Sequence, residues 1–340
     1  MEKRKKMREI KEIIQAGAIG DAFGYQVEFQ SMQQIQILYG EKGIKYRASS
    51  EKNASDDTQM TLFLWEAVKT YIKENEKFSL EDFTKHAHIA FKDWYETQIN
   101  SYSIFSNKEG LMGFEELYKR QAPGNTCMSA LHNHTNRSVK FKINDSKGCG
   151  SVMRVAPLLV LKEHYKLSSE ELFDVSAHQA AITHGNDEGM SATAFFTVLL
   201  DDLANSKNFN DAYTNSLQVT KKQKPNGFTN YIESVYKKAL EPGLLTGNDL
   251  EKDIGGGWIA DEAVGVAMYC AMKTNSFTQC LELSTNHSGD SDSTASMAAQ
   301  LYVAKNGLAA SDILFPTDLD NVVEHLSRSL ENKKSYLFKN

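Results

Sequence analysis

Apolar residues recur at spacings of three and four along most of the chain, which is the pattern of amphipathic helices with one buried face. The clearest stripe begins near Asp57 and predicts a helix whose buried face consists of Met60, Phe63, Leu64, Ala67, Val68, Tyr71 and Ile72. Three more stripes have the same spacing: Phe195, Val198, Leu199 and Leu203; Ala263, Val266, Ala267 and Cys270; and Ala295, Ala298, Ala299 and Tyr302. The alternating runs that strands require are lacking. The pattern therefore predicts an all-α fold, a compact multi-helix bundle.

The composition excludes several classes of protein. The 340 residues are 41% hydrophobic and 24% charged, as is usual for a globular protein, and no linker or internal repeat divides them. We therefore expect a single domain over residues 1–340. The net charge of −6 argues against a nucleic-acid partner, and no apolar run is long enough for a membrane span. Four widely separated cysteines indicate neither a zinc ribbon nor a disulfide framework, so we expect a cytoplasmic protein.

A segment near the N-terminus combines regularly spaced glycines with one acid. Gly17, Gly20 and Gly24 either let another element approach closely or mark a loop or helix end that needs glycine. Glu28 follows between Val27 and Phe29. A buried Glu28 would be a functional residue, whereas the alternative is an ordinary glutamate at the surface.

Two acidic clusters stand where helices are predicted to begin. They are Ser55, Asp56 and Asp57 before one stripe, and Asp290, Ser291, Asp292 and Ser293 before the last stripe. Serine and aspartate cap helices by accepting hydrogen bonds from free backbone N–H groups, so capping alone could explain each cluster. Four carboxylates exceed that need, however, and they would repel one another unless hard divalent cations bind them. Asp56 and Asp57 would diverge on a helical turn, and we expect Asp290 and Asp292 to diverge from an extended segment.

Two further stretches could contact a ligand. The glycine-rich turn from Lys147 to Arg154 could direct backbone N–H groups at a diphosphate, and a tight structural turn is the alternative. His184 follows an apolar helical segment. It could bind a ribose or a phosphate, or it could be a structural histidine.

Taken together and in this order, seven segments resemble the ADP-ribosylglycohydrolase family, which includes the dinitrogenase reductase-activating glycohydrolase. The segments are GAIGDAFGYQVEF at 17–29, SDDTQMTLF at 55–63, APGNTCMSAL at 122–131, KGCGSVMRVAPL at 147–158, AITHG at 181–185, GGWIADEAVGVAMY at 256–269 and HSGDSDSTASMAAQ at 287–300. The resemblance covers about residues 13–307. It implies a compact all-α domain around a dinuclear centre of two Mg²⁺ or Mn²⁺ ions.

The resemblance also implies roles for residues at the matching positions. The implied metal ligands are Ser55, Asp56, Asp57, Asp290, Asp292 and Ser293. The implied ADP-ribose contacts are Gly148, Gly150, Ser151 and Met153, with His184 on the phosphate or ribose. Glu28 matches an acid near the metals, so the catalytic candidates are Asp56, Asp57, Asp292 and Glu28, with Asp57 or Glu28 preferred as the acid or base. Bond breaking is expected to pass through an oxocarbenium-like state.

The implied activity is removal of ADP-ribose from modified protein side chains, preferentially from arginine through its N-glycosidic bond. One alternative is a two-metal phosphohydrolase acting on a nucleotide diphosphate, and another is a non-catalytic ADP-ribose-binding relative. The expected partners are an ADP-ribosylated protein and a counterpart ADP-ribosyltransferase. Ser55 and Ser293 stand where the family often has threonine, which keeps the hydroxyl, and Ser288 stands where it often has glycine. We expect residues 30–54 and 100–146 to contribute to the site entrance.

Overall fold

The computed structural model describes residues 2–105, 108–132, 142–205 and 207–331. Within these ranges the chain contains helices and no β-strand, and two isolated bridges join Lys52 to Thr317 and Gly148 to Ile259. The prediction of an all-α fold is confirmed. The predicted single domain also includes residue 1 and residues 106–107, 133–141, 206 and 332–340, which lie outside the described residues.

The helices cover most of the described chain. They are α1 (Glu2–Gly24), α2 (Met32–Tyr39), α3 (Asp56–Glu74), α4 (Leu80–Ile99), α5 (Tyr102–Phe105), α6 (Asn125–His132), α7 (Leu158–Tyr165), α8 (Ser169–Ala181), α9 (Asp187–Ala204), α10 (Phe209–Gln223), α11 (Gly227–Leu240), α12 (Gly247–Asp253), α13 (Ala260–Lys273), α14 (Phe277–Thr285), α15 (Ser291–Asn306) and α16 (Asp320–Glu331). Short 3₁₀-helices span Gly110–Gly113, Glu115–Tyr118, Cys149–Ser151 and Ala310–Asp312. The four predicted stripes lie on α3, α9, α13 and α15, and all their residues are buried except the half-buried Ile72 and Tyr302.

Helix α15 lies inside the molecule and is surrounded by other helices. Its residues are buried on every side from Ser291 to Leu301, and α1, α9, α13 and α14 pack around it. The side chains of α15 in this stretch are mainly serine, threonine and alanine, whose small size lets several neighbours approach at once. The N-terminus of α15, which carries the second acidic cluster, is therefore held from several directions.

Glycines on α1 bring its backbone into contact with α15. A Cβ atom on Gly20 would lie 2.4 Å from the carbonyl oxygen of Ala295, and a Cβ atom on Gly24 would lie 2.1 Å from that of Ser291. Of the two interpretations of these glycines, close approach of another element is confirmed, and Gly24 also ends α1. The contact places the turn after α1, which carries Glu28, beside the beginning of α15.

Two local expectations are wrong. Asp290 and Asp292 do not lie in an extended segment, because Asp290 is the N-cap of α15 and Asp292 is in its first turn. The stripe on α15 is also not the last apolar stripe, since α16 packs against α3 through the buried residues Val322, Val323 and Leu326. None of the described helices combines the length and apolar content that crossing a bilayer demands.

Candidate functional site

The first acidic cluster forms the beginning of α3. Ser55 is the N-cap, and its hydroxyl accepts a hydrogen bond from the backbone N–H of Asp57 at 3.2 Å. The capping interpretation therefore accounts for Ser55, whose hydroxyl faces its own helix. Asp56 accepts a hydrogen bond from the backbone N–H of Gly124 at 3.2 Å, and the carboxylates of Asp56 and Asp57 both line a pocket.

The second acidic cluster forms the beginning of α15 and touches the first. The backbone N–H of Ser293 donates to Asp292 at 2.9 Å and to the N-cap Asp290 at 3.3 Å. The hydroxyl of Ser293 donates to Oδ2 of Asp57 at 2.9 Å, although these two residues are 236 positions apart in the sequence. Helix capping and carboxylate clustering thus occur together here, because the two capped helix ends face the same pocket.

Asp21 supports the first cluster from behind and was not among the predicted site residues. Its buried carboxylate accepts hydrogen bonds from the backbone N–H groups of Ser55, at 2.9 Å, and Thr58, at 3.0 Å, and from the Thr58 hydroxyl. Burial, followed by the nearby charge of Asp292, raises the pKa of Asp21 to about 7. The sequence contained a signal for this residue, since Asp21 is a lone acid within a run of small and apolar residues on α1.

Glu28 completes the acidic group from the turn after α1. It is only 7% exposed, which excludes the interpretation of an ordinary surface glutamate. One carboxylate oxygen each from Glu28, Asp290 and Asp292 lies within 4.8 Å of the other two. Among the described residues, no hydrogen-bond partner reaches the buried Oε2 atom of Glu28. This unpartnered oxygen therefore remains available to a ligand.

The electrostatics of the group favour binding of cations. Burial, followed by the charge of Asp292, raises the pKa values of Asp56, Asp57 and Asp290 well above the usual range and that of Glu28 to about 11. None of the ion pairs within the described ranges involves these carboxyl groups. The group thus consists of buried carboxyl oxygens whose mutual repulsion is not compensated by an ion pair within the described ranges. Oxygen ligands of this kind fit hard divalent cations such as Mg²⁺ or Mn²⁺.

The glycine-rich turn forms the opposite side of the same pocket. A Cβ atom on Gly148 would lie 3.1 Å from Nε2 of His184, and one on Gly150 would lie 3.1 Å from Cε1 of the same ring. Both glycines therefore leave room for the imidazole at the pocket wall. Between them, the Cys149 thiol donates to Oδ2 of Asp290 at 2.7 Å, so this turn reaches the acidic group directly. Cys149 was not a predicted site residue, although its place between the two glycines was visible in the sequence.

The other two residues predicted on this turn differ in position. Met153 lines the pocket, and its sulfur lies 4.0 Å from the Ser293 hydroxyl. The Ser151 hydroxyl instead points into the protein, where it lies 3.0 Å from the Thr193 hydroxyl. Its side chain is fully buried and is not part of the pocket lining.

The pocket has a volume of about 190 Å³ and an aromatic residue at its edge. Trp258 lines it and stacks on Phe29 with the ring centroids 6.3 Å apart and the rings inclined by 24°. As expected for residues 100–146, this segment contributes to the lining: Ala122 and Gly124 from the loop before α6, and Asn125, Thr126 and Cys127 from the first turn of α6. Residues 30–54 were also expected at the site entrance, but no described residue of this range lines the pocket. The lining residue closest to this range in the sequence is Glu28.

Comparison with known proteins gives one consistent result. The family model described as ADP-ribosylglycohydrolase matches residues 2–333. A curated relative from Pseudomonas putida (strain GB-1), "ADP-ribosylarginine hydrolase Tri1", is 22% identical over 299 residues, which is 86% of this chain and 69% of the relative. A solved structure titled "ADP-ribosylglycohydrolase-related protein complex" has a TM-score of 0.62 and 17% identity over 97% of this chain and 99% of that one, which shows a shared fold.

Proposed function

Because the chain belongs to the ADP-ribosylglycohydrolase family and is a glycosidic-bond hydrolase, we propose that it releases ADP-ribose from modified arginine side chains with the help of two divalent cations. The observation that carries this proposal is the contact between Ser293 and Asp57, which joins two distant acidic helix ends in one pocket. The preference for arginine is supported by the relative named as an ADP-ribosylarginine hydrolase. The enzyme that attaches the modification would be a counterpart ADP-ribosyltransferase.

We assign the cations to the acidic group. The proposed ligands are Asp56, Asp57, Asp290 and Asp292, with Ser55 and Ser293 as the hydroxyl candidates. Of these two serines, Ser293 lines the pocket, whereas the Ser55 hydroxyl accepts from its own helix. When bound, Mg²⁺ or Mn²⁺ would orient the hydroxyls of the substrate ribose and stabilise the charge that develops during cleavage.

We assign proton transfer to Glu28 rather than to Asp57. Oδ2 of Asp57 already accepts the hydroxyl of Ser293, whereas Oε2 of Glu28 has no protein partner among the described residues. Burial is the first cause of the raised pKa of Glu28 and would persist with cations on the neighbouring carboxylates, so it favours a neutral carboxylic acid that can donate a proton to the departing side chain. A protonated leaving group departs more readily from an oxocarbenium-like centre.

The other side of the pocket suits the rest of ADP-ribose. Because Gly148 and Gly150 lack a Cβ atom, the imidazole of His184 fits directly against the backbone of this turn. Met153, on the same turn, lies next to Ser293, with its sulfur 4.0 Å from the hydroxyl oxygen. We therefore propose that the diphosphate and proximal ribose lie along this side, with the distal ribose toward the acidic group.

Product analysis tests the proposal. The protein would be incubated with arginine-linked and serine-linked ADP-ribosyl peptides, with Mg²⁺, with Mn²⁺ and with EDTA, and the products would be separated by chromatography. We expect intact ADP-ribose from the arginine-linked peptide only when a divalent cation is present. Release of AMP would indicate attack on the diphosphate instead, and equal turnover in EDTA would contradict the cation requirement.

A further inference from the structure

A buried arginine, Arg154, lies behind the glycine-rich turn, and none of its hydrogen-bond partners among the described residues is acidic. Arg154 is fully buried, with its guanidinium 4.0 Å from the centroid of the Phe91 ring. It donates to the side-chain oxygen of Gln179 at 3.0 Å and to the backbone oxygen of the same residue at 3.2 Å. Burying a cation among neutral groups is unfavourable unless its N–H groups are all bonded. The partners of its remaining N–H groups therefore show what holds the buried guanidinium in place.

One of these hydrogen bonds leads toward the pocket. Nη2 of Arg154 donates to the Thr183 hydroxyl oxygen at 2.9 Å, and that oxygen lies 2.8 Å from Nδ1 of His184. A guanidinium has donors only, so the Thr183 oxygen accepts from it and keeps its own hydrogen for another partner. If that hydrogen goes to Nδ1, the neutral imidazole carries its single N–H on Nε2.

Cys127 is the competing acceptor for the Thr183 hydrogen. Its sulfur lies 3.8 Å from Nη1 of Arg154, and the Thr183 hydroxyl is close enough to lower its pKa. The net effect of burial nevertheless raises the pKa of Cys127 to about 11, so the group is a neutral thiol. A thiol sulfur is a weaker acceptor than an imidazole nitrogen, which favours His184 as the partner.

Nε2 of His184 faces the ligand side of this chain of hydrogen bonds. The ring is 2% exposed and lines the pocket between Gly148 and Gly150. Because Nδ1 lies against Thr183, Nε2 is the ring nitrogen on the side of Gly148 and the pocket. Burial, followed by the nearby charge of Arg154, lowers the pKa of His184 to about 3, which keeps the ring neutral at physiological pH.

We propose that Arg154, acting through the Thr183 hydroxyl, holds His184 in the tautomer with hydrogen on Nε2, so that the ring donates to an oxygen of the bound nucleotide sugar. Arg154 and Thr183 are positioning residues in this scheme, and His184 is the residue that contacts the ligand. The identity of the ligand rests on the proposed function, but the tautomer of the ring does not. The acceptor is an oxygen atom of the ligand, either in a phosphate or in a ribose hydroxyl.

The tautomer can be measured without ligand, cation or turnover. The full chain would be labelled with ¹⁵N-histidine, and the His184 signals would be assigned by their loss in H184Q. We expect a protonated Nε2 and an unprotonated Nδ1 in the unmodified protein. Thr183→Val removes the hydroxyl and is expected to abolish this preference, whereas Thr183→Ser keeps it. A protonated Nδ1 in the unmodified protein would overturn the proposal.

Binding of ADP-ribose provides a second readout by calorimetry. We expect Thr183→Val to raise the Kd about tenfold, which corresponds to one impaired hydrogen bond to a charged group, and Thr183→Ser to restore it. Thr197→Val is the matched control, because it makes the same change at a buried hydroxyl whose hydrogen bonds with described residues go to the Ser176 hydroxyl and the Thr193 backbone oxygen. In turnover assays KM should rise more than kcat. An unchanged Kd for folded Thr183→Val would contradict the proposal.

Two further experiments test the role of Arg154 and locate the acceptor on the ligand. Arg154→Lys keeps the charge but cannot reach Gln179 and Thr183 together, so we expect the Nε2 preference to weaken. An unchanged tautomer in folded Arg154→Lys would remove Arg154 from the scheme. If Thr183→Val weakens binding of ADP as much as binding of ADP-ribose, the acceptor is on the diphosphate or the proximal ribose, which the two ligands share. A loss confined to ADP-ribose places the acceptor on the distal ribose. A correct tautomer without hydrolase activity would refute the proposed function alone.

Discussion

The two sides of the pocket differ in how complete they are without a ligand. The acid wall consists of Glu28, Asp56, Asp57, Asp290 and Asp292, and the donor wall consists of Gly148, Gly150, Arg154, Thr183 and His184. In the acid wall buried carboxyl groups repel one another, and among the described residues one oxygen, Oε2 of Glu28, has no partner. In the donor wall Arg154 donates to the Thr183 hydroxyl, which lies 2.8 Å from Nδ1 of His184, and in the proposed tautomer this chain of hydrogen bonds ends at the N–H group on Nε2. The acid wall thus has the uncompensated charge that suits a cation site, whereas in the donor wall Arg154 and Thr183 already hold the imidazole in place.

Removing one carboxylate charge from the acid wall is expected to have the largest effect on activity of the changes that distinguish the two walls. Asp57→Asn should lower kcat/KM by on the order of 10³-fold, because about 4 kcal/mol of charge stabilisation would be lost. The metal-free protein should remain folded, since a repelling charge has been removed. Steady-state kinetics and circular dichroism measure both effects, and Asp253→Asn on the surface of α12 is the control. Activity within tenfold of the unmodified enzyme would contradict the assignment of Asp57.

Removing cations should make the acid wall sensitive to pH. A carboxyl group whose pKa is raised by folding stabilises the native state below its unfolded pKa, and this contribution is lost as the pH rises toward the folded value. The pKa of Glu28 in the wall rises from 4.5 to about 11, and that of Asp21 behind the wall rises from 3.8 to about 7. The metal-free protein should therefore lose stability as the pH rises from about 4 toward 11. At a hundred times its Kd, Mg²⁺ should restore about 3 kcal/mol. Thermal unfolding in EDTA and in Mg²⁺ across this range tests the prediction, which a flat metal-free profile would contradict.

A substitution at Asp21 tests whether the hydrogen bonds behind the acid wall affect cation binding as much as the carboxylates of the wall do. Asp21→Asn exchanges one acceptor oxygen for a donor and should weaken cation binding roughly 10- to 100-fold, as is typical for partners behind metal ligands. Asp318→Asn is a matched control, because Asp318 accepts the neighbouring Ala54 N–H at 3.0 Å but is not part of the pocket lining. Titration calorimetry with Mn²⁺ distinguishes the two variants. Equal losses in both would indicate a general effect on α3 rather than a role at the site.

The smallest expected effect concerns the edge between the walls. Phe29 follows Glu28 of the acid wall and stacks on Trp258, which lines the pocket. Phe29→Ala should raise KM about 2- to 10-fold with little change in kcat, since such ring contacts contribute about 0.5–1.5 kcal/mol. Phe29→Tyr keeps the stack and is the control. A larger fall in kcat than rise in KM would show that Phe29 affects Glu28 rather than the pocket edge.

The sequence predicted the helices well because their buried faces repeat locally. The stripe on α3 and the Ser55 cap are examples, since a residue and its neighbours within one turn contain the relevant information. The short spacing of Leu319, Val322, Val323 and Leu326 contained the same signal for α16, which was not recognised.

The relation between the clusters was harder to predict from the residues themselves. The meeting of Ser293 with Asp57 depends on how α15 packs among four helices, and no local pattern records that packing. The direction of a side chain is similarly a tertiary property. Ser151 belongs to the glycine-rich turn by sequence, yet its hydroxyl turns away to Thr193. The chain Arg154, Thr183 and His184 also joins two segments that sequence reasoning treated separately.

The backbone contact between α1 and α15 has a consequence for biosynthesis. Its two partners are separated by α2 to α14, so the ribosome must synthesise all of these helices and α15 before α1 can pack against α15. Contacts between residues so far apart in the sequence slow folding. Until the contacts form, the apolar face of the nascent α1 is exposed to solvent or bound by chaperones. A chain that stops before Asp290 would therefore lack two of the five carboxylates of the acid wall, Asp290 and Asp292, together with the helix against which α1 packs.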